Sequence, residues 1–179
     1  MNKPLNFSEF IAKYQNLRNE VYASVPIATN LPQVKLTPIN TLAMAAYKRW
    51  GNMRTPPNGG WDWSSWVAHY RERHHKRFEA AIWYGSTLCG LCLGKLSEKN
   101  VHVRLEILEG STERAHPLKG RVAYVALTGF ELFGYASGAE EVRVIDPVDG
   151  AISTYKALGY SLQPASKVNP RFLSKKIGI

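Results

Sequence analysis

The sequence is poor in cysteine and has no long apolar segment. Its only two cysteines are Cys89 and Cys92, and a tetrahedral zinc site would need two further ligands, for which there is no second cysteine pair. No apolar run approaches the ~20 residues that a helix needs to cross a bilayer. We therefore expect no metal site and no membrane partner.

Both cysteines lie in an apolar segment, Thr87 to Gly94, that is typical of a buried strand. Because side chains alternate along a strand, a spacing of three residues predicts that the two thiols point to opposite faces. Buried thiols act as small apolar side chains, and reduced ones suit the cytosol. The segment Met1 to Asn6 is polar and lacks the apolar core of a signal peptide, so we expect a cytoplasmic location.

Acidic residues are scarce relative to basic ones. There are 14 Asp and Glu against 23 Lys and Arg, which gives a formal net charge of +9 among 179 residues. Such a balance favours an anionic partner, which can be nucleic acid, a phosphorylated cofactor or a membrane surface. Charge alone does not distinguish these from a basic domain that binds none of them. The length suits one domain with a substantial core.

The N-terminal part has helical periodicity. Apolar residues recur at helical spacing from Asn6 to Ser24, which predicts a helix that is capped by Asn6 or Ser8 and ends at Pro26. The segment from Pro26 to Pro38 is predicted to be a loop. A second helix is predicted to begin at Thr37-Pro38, because threonine caps helices and proline suits their first turn.

A third helix is predicted to begin at Asp62 or Ser64. One face carries Trp66, Val67, Tyr70 and His74, and the other belongs to a basic run from Arg71 to Arg77. A charge run is usually a solvated face. The tryptophans at the start of this segment suit either the core, which we favour, or the wall of a binding site; they are Trp61, Trp63 and Trp66.

The period changes from helical to extended at Phe78. Three strands separated by short turns predict an antiparallel meander. In the third, alternation places Val103, Leu105 and Ile107 on one face, and Arg104 and Glu106 on the other. The strands are predicted over Phe78–Tyr84, Leu88–Lys95 and Val101–Leu108.

The remaining sequence alternates between helix and strand. A strand, helix and strand that follow a meander predict a mixed sheet with one parallel pair, that is, an α/β fold in which the meander precedes a β-α-β-α-β unit. The predicted helices are Val122–Gly134 and Gly150–Leu158, and the predicted strands are Glu141–Ile145, Tyr160–Pro164 and Arg171–Lys175.

The segment from Asp146 to Tyr160 resembles the late motif of the GNAT superfamily of acyl-CoA-dependent N-acetyltransferases. That motif has Asn, two residues, Ala-Ile, Leu-Tyr, two residues, a hydrophobe and Gly-Phe. Tyr160 replaces the phenylalanine, and Val148 stands in the place of the asparagine. The matching residues are Ala151, Ile152, Tyr155, Leu158 and Gly159.

The resemblance implies a single GNAT-like domain over residues 1–179. It would comprise an N-terminal helical part (1–77), a core sheet with the cofactor-binding region (78–164) and a C-terminal strand or tail (165–179). The implied activity is acetyl transfer from acetyl-CoA, the co-substrate, to a primary amine by direct attack. The sequence leaves open whether the chain is a monomer or a homodimer.

The resemblance also implies roles for individual residues. Tyr155 matches the tyrosine that protonates the departing CoA thiolate in many GNAT enzymes. Glu106 is the implied general base, directly or through water, with Glu109 as the second choice. The backbone around Ile107 and Leu108 would bind the pantetheine arm. The alternatives are a core tyrosine for Tyr155 and ion-paired or solvated carboxylates for the two glutamates.

The implied pyrophosphate loop precedes the helix at Val122. Its glycines normally let the backbone approach the phosphates at a helix N-terminus. This chain keeps one glycine, and the residues Val122 and Tyr124 stand where the family has small ones. The loop residues implied to bind the cofactor are Lys119, Gly120, Arg121, Val122, Ala123 and Tyr124.

Two alternative functions follow from these features. The altered loop residues suit a non-catalytic GNAT-like binding or regulatory protein that has lost CoA binding. The positive charge suits a GNAT-type enzyme that acts on nucleic acid or aminoacyl-tRNA, and this alternative predicts that the basic run Arg71 to Arg77 lines the active cleft.

Overall fold

A seven-stranded mixed sheet forms the centre of the computed structural model, which describes residues 5–51 and 54–178. None of the helices in these ranges has the length and apolarity that crossing a bilayer requires. In chain order the elements are α1 (Phe7–Ala28), β1 (Val34–Thr37), α2 (Thr41–Tyr47), α3 (Trp63–Arg73), β2 (Arg77–Tyr84), β3 (Thr87–Leu96), β4 (His102–Gly110), α4 (Val122–Ala136), β5 (Glu141–Ile145), α5 (Asp149–Ala157), β6 (Ser161–Gln163) and β7 (Phe172–Lys176).

The strands lie in the order β1-β2-β3-β4-β5-β7-β6. All neighbours are antiparallel except β4 and β5, which run parallel and are joined through α4. The predicted meander, the parallel pair and the mixed α/β sheet are therefore confirmed. The strands and helices predicted from Phe78 onward agree with the structure to within about two residues at each end.

Helices cover both faces of the sheet and form two cores. On one face, α1, α4 and α5 pack around Phe78, Phe130 and Phe133, which are buried. We call this the α4 face. On the other face, α2 and α3 pack around residues such as Val67 and Leu91. We call this the α3 face.

The segment from Pro26 to Pro38 is not the loop that the prolines predict. Helix α1 continues through Pro26, because a proline near a helix end removes only one backbone hydrogen bond. The amide of Thr29 still donates to the Val25 carbonyl at 2.9 Å. Strand β1 then pairs with β2 and forms the sheet edge.

The helix starts are fixed by side-chain caps. Asn6 caps α1 in a capping box with Glu9, and Asp62 caps α3, so in each case one of the two predicted residues is the cap. The predicted start of the second helix was wrong. Thr37 is the last residue of β1, and Asn40 caps α2 three residues later.

Both cysteines face the same core, contrary to the prediction from their spacing. The register of β2 and β3 shifts after Ile82, and Cys89 is the extra residue of this bulge. A bulge resets the alternation of side chains, so Cys89 and Cys92 both lie, fully buried, on the α4 face. Burial raises the pKa of the Cys92 thiol to about 12, which suits an inert core residue.

Candidate active site

A second bulge lies in β4 at Glu106, whose side chain contacts Tyr70 on the α3 face. Leu105 pairs with Gly94 and Ile107 pairs with Leu93, so Glu106 has no partner on β3. Leu105 belongs to the core of the α4 face, whereas Ile107 belongs to that of the α3 face. The prediction that these two side chains share a face was therefore wrong, because the bulge shifts the alternation by one residue.

Strands β4 and β5 separate at this bulge. Their pairing ends at Leu105 and Val144. In the described part of the chain, no strand pairs with β4 beyond that point on the β5 side. A cavity of about 70 Å³ lies at the divergence. Its walls include Glu106, Leu108 and Tyr155, so the structure brings the two leading catalytic candidates to one cavity.

Glu106 lies in a poorly hydrated environment. Its side chain is 18% exposed, it accepts a hydrogen bond from the Tyr70 hydroxyl, and its Oε1 lies 3.1 Å from Arg104 Nε. The latter contact falls outside hydrogen-bond geometry. Burial raises the pKa of Glu106 to about 7. A carboxyl with such a pKa is suited to accept a proton near neutral pH.

Tyr155 reaches the same cavity from α5 on the α4 face. The residue is 6% exposed, and its hydroxyl has no hydrogen-bond partner among the residues that the structure describes. Burial raises the pKa of the phenol to about 12, so the hydroxyl is protonated at neutral pH and can donate a proton or a hydrogen bond.

Glu109 lies in a different environment, although it is only three residues further along β4. Its carboxylate accepts hydrogen bonds from Trp63 Nε1 at 2.7 Å, from the Gly60 amide at 2.8 Å and from the Tyr47 hydroxyl at 3.3 Å. Arg54 Nη2 lies 3.8 Å away. Glu109 lines a separate cavity of about 200 Å³, and its contacts are those of an anchor that holds α2 and α3 to the sheet.

The N-terminus of α4 is open to a ligand. No side chain caps it, and the residue before it, Arg121, is exposed. The amides of a helix's first turn have no acceptor within the helix. Gly120 has φ +77°, and a Cβ placed there would meet nothing within 4 Å. This surface has the backbone donors and positive end of a helix that bind phosphate.

Val122 packs inward, away from this surface. Val122 is 8% exposed, and its Cγ1 lies 2.4 Å from where a Cβ on Gly90 would sit. The valine therefore fills space that a glycine on β3 leaves open. Tyr124 is 37% exposed. Although Val122 stands where the family has a small residue, it does not obstruct the approach of a phosphate, because its side chain packs inward.

The basic run at the end of α3 divides into two groups. Arg71 and Arg77 pair with the buried Glu79. The residues between them, from Arg73 to Lys76, line a cleft of about 630 Å³ that continues over β3, β4, β5 and β7. We call it the basic cleft. Ile145 lines both the basic cleft and the cavity beside Glu106, so the two spaces are neighbours.

The three tryptophans at the start of α3 and just before it lie in different environments. Trp63 is 1% exposed and lies in the core, as favoured by the sequence, whereas Trp66 is 38% exposed. The predicted helical face therefore includes Trp63 in place of Trp66. The rings of Trp61 and Trp66 are 6.4 Å apart, and Trp66 lies 6.2 Å from the Tyr70 ring. Because the Tyr70 hydroxyl contacts Glu106, these aromatic rings lie near the Glu106 carboxylate.

Tyr70 is the site residue that the sequence did not reveal as functional. Its position in an apolar helical stripe predicted only a core side chain, and its ring is indeed buried. Its hydroxyl contacts Glu106 across 36 residues of sequence. The periodicity of a single helix carries no signal for such a contact.

Comparison with known proteins identifies the fold. No family model matches the chain, and no curated protein matches its sequence. Many solved structures match its three-dimensional arrangement. The aminoglycoside 6'-N-acetyltransferase from Enterococcus faecium aligns with a TM-score of 0.59 and 12% identity, over 80% of this chain and 97% of that protein.

Two further matches come from other organisms. Ard1 from Thermoplasma volcanium aligns with a TM-score of 0.58 and 10% identity, over 82% of this chain and 99% of that one. Naa50 from Arabidopsis thaliana, solved with the bisubstrate analogue CoA-Ac-MVNAL, aligns with a TM-score of 0.53 and 13% identity, over 80% and 98%. At such identities the similarity concerns the fold.

Proposed function

Starting from the GNAT acetyltransferase fold of this chain, we propose that it is an acyl-CoA-dependent N-acyltransferase that transfers an acetyl group to a primary amine. The observation that carries the proposal is that Glu106 and Tyr155 reach one cavity, from opposite faces of the sheet, where β4 and β5 separate. One group can accept a proton and the other can donate one, as direct acyl transfer requires.

Glu106 is the proposed general base. An ammonium ion has no free electron pair, so the acceptor must lose a proton before it attacks the thioester carbonyl carbon. The Glu106 carboxylate takes that proton, directly or through one water molecule. Its carboxylate accepts a hydrogen bond from Tyr70, and a pKa of about 7 means that about half of the molecules carry the ionised form at neutral pH.

Tyr155 is the proposed general acid. When the carbon–sulfur bond breaks, the electron pair goes to the CoA sulfur, and the Tyr155 hydroxyl gives that thiolate its proton. The phenolate so formed regains a proton from solvent. Near Ile107 and Leu108, no strand in the described part of the chain pairs with β4 on its β5 side. The backbone there can bind the amide groups of the pantetheine arm as a neighbouring strand would, and a backbone N–H can stabilise the developing oxyanion.

The N-terminus of α4 is proposed to bind the pyrophosphate of CoA. Gly120 leaves room for phosphate, and Lys119 and Arg121, both exposed, supply charge. The inward packing of Val122 supports this role, because the side chain leaves the amides of the first turn accessible. The same packing weakens the alternative of a binding protein with a disabled loop.

Replacing Tyr155 with phenylalanine should lower kcat by about 10²-fold or more, because the thiolate would leave without a proton donor. The measurement is release of free thiol from acetyl-CoA with a panel of primary amines. Thermal stability should change little, since the hydroxyl has no partner among the described residues. Tyr135→Phe is the matched control, because Tyr135 is 60% exposed on α4. Equal kcat for both variants would remove Tyr155 from the mechanism.

An enzyme that acts on aminoacyl-tRNA or another nucleic acid is the second candidate. The observation in its favour is that residues from Arg73 to Lys76 line a cleft next to the cavity of Glu106. Loss of binding at raised salt would accompany such a substrate.

A further inference from the structure

The basic cleft contains positive groups from several separate elements. They approach from the end of α3, from β3, from β4 and from β5, and the lining includes a single acidic residue, Glu98. Apolar surface is present as well, at Phe10, Leu96 and Phe172. The lysines and arginines of the lining are Arg73, Lys76, Lys95, Arg104 and Arg143.

Lys95 has no acidic partner among the described residues, and Arg104 and Arg143 pair with glutamates that do not line the cleft. Lys95 Nζ lies 3.0 Å from His74 Nε2 and 5.5 Å from the centre of the Tyr70 ring. Arg104 contacts Glu106 only outside hydrogen-bond geometry. Arg143 pairs with Glu141, which does not line the cleft.

The cations also destabilise one another. Burial, and next the charge of Arg104, lowers the pKa of Lys95. Burial and then Arg143 lower the pKa of Arg104, and the same two causes lower the pKa of His102. Positive charges crowded in a half-buried cleft cost free energy that a bound anion would recover.

The cleft adjoins the proposed general base. Arg104 precedes Glu106 by two residues on β4, Lys95 lies over the ring whose hydroxyl contacts Glu106, and Ile145 lines both spaces. A molecule in the cleft can therefore extend one end to Glu106.

We propose that the basic cleft binds a phosphate group of the acceptor, so that the acceptor amine is a small phosphorylated molecule. This inference rests on the proposed function and specifies its substrate class. A dianionic phosphate matches cations from three strands better than a single carboxylate does, and arginine can bind it through two parallel hydrogen bonds. The volume of about 630 Å³ is that of a small-molecule cleft, which favours a small acceptor over a nucleic acid.

The test compares pyridoxamine 5'-phosphate with pyridoxamine by calorimetry. Both probes carry a primary amine and an aromatic ring, and they differ only in the phosphate. Saturating free CoA is present throughout, so that the N-terminus of α4 does not compete for the probe. The phosphorylated probe should bind at least about 10-fold more tightly.

The variants Lys95→Gln and Arg143→Gln locate the effect. Each should weaken binding of the phosphorylated probe by about 5- to 10-fold and leave pyridoxamine unchanged. Lys35→Gln is the matched control, because Lys35 is an exposed lysine on the edge strand β1. Thermal melting of each variant shows whether it is folded. Because two positions are tested, the proposal remains testable if one of the variants does not fold.

Equal affinities for the two probes would overturn the proposal, as would variants that behave like the control. A short single-stranded RNA that binds tightly, requires Lys95 and Arg143 and excludes the small probe would overturn it in favour of a nucleic-acid substrate. Calorimetry needs no catalysis, so the two proposals can fail separately. If the phosphorylated probe binds more tightly than pyridoxamine but acetyl-CoA does not bind, the proposed function is wrong and phosphate binding by the basic cleft still holds.

Discussion

Replacing Glu106 with glutamine should lower kcat for acetyl transfer by about 10²- to 10⁴-fold, the usual contribution of a general base. Glutamine keeps the size of the side chain and can still accept a hydrogen bond from Tyr70. It has no site for a proton at neutral pH. The expected loss therefore reflects the missing proton acceptor, and it is measured as the initial rate of thiol release at saturating acetyl-CoA.

The pH dependence gives the same prediction a second readout. Burial raises the pKa of Glu106 to about 7, so the carboxyl is protonated below that pH and cannot act as a base. The rate of the wild-type protein should rise tenfold per pH unit below about pH 7 and level off above it. Glu106→Gln should lack this limb, because nothing titrates at that position.

Two glutamates serve as controls. Glu141→Gln is closely matched, since Glu141 is also on a strand, also pairs with an arginine and also has an 18% exposed side chain; this variant should keep the limb. Glu109→Gln should keep it too and lose stability instead, because its carboxylate holds Trp63 and the Gly60 amide. If the limb disappears in Glu109→Gln and persists in Glu106→Gln, the base is Glu109.

Replacing Glu79 with alanine should lower the free energy of unfolding by about 3–5 kcal/mol, the cost of removing one partner from a buried ion pair. The Glu79 side chain is 2% exposed. Its oxygens accept hydrogen bonds from Arg71 at 2.8 and 2.9 Å, from Arg77 at 2.9 Å and from the Ile39 amide at 3.1 Å. The variant would leave the Arg77 guanidinium half-buried without its carboxylate.

This contribution should depend on pH. Burial favours the protonated form of Glu79, but the hydrogen bonds and charges of Arg71 and Arg77 outweigh it and lower the pKa. A lowered pKa stabilises the fold above the pKa of the unfolded chain, and the gain disappears as pH falls through the folded value. The difference between wild type and Glu79→Ala should therefore shrink in acid.

Urea denaturation followed by circular dichroism measures both effects. Glu72→Ala is the matched control, because Glu72 is a 71% exposed glutamate on α3 whose pair with Arg73 spans 3.5 Å. Exposed pairs contribute about 1 kcal/mol or less. A loss at Glu79 no larger than that at Glu72 would contradict a structural role for the buried carboxylate.

Much of the fold could be predicted from the sequence, because its strands and helices have clear periods and caps. The alternation from Phe78 onward gave the meander, and the segment containing Tyr155 gave the resemblance to GNAT enzymes. Both rest on residues close together in the sequence. The two caps could likewise be narrowed to Asn6 or Ser8 and to Asp62 or Ser64, since a cap and its helix are adjacent.

The remaining features depend on contacts between distant segments. The bulges at Cys89 and Glu106 reverse side-chain direction only because the partner strand has one residue fewer there, and a strand's own sequence does not report its partner's register. The hydrogen bond from Tyr70 to Glu106 and the burial of Glu109 beneath Trp63 arise in the same way. The basic run forms two groups because Arg71 and Arg77 pair with Glu79, whereas the residues from Arg73 to Lys76 line the basic cleft.

Calorimetric titration of acetyl-CoA into the purified protein, with free CoA in parallel, most directly tests whether the diverging strands and the N-terminus of α4 form an acyl-CoA site. We expect binding in the micromolar range or tighter, which corresponds to about −8 kcal/mol or a more negative free energy. No heat and no thermal shift at millimolar ligand would contradict acyl-CoA binding and, with it, the assignment of Glu106 and Tyr155 as base and acid.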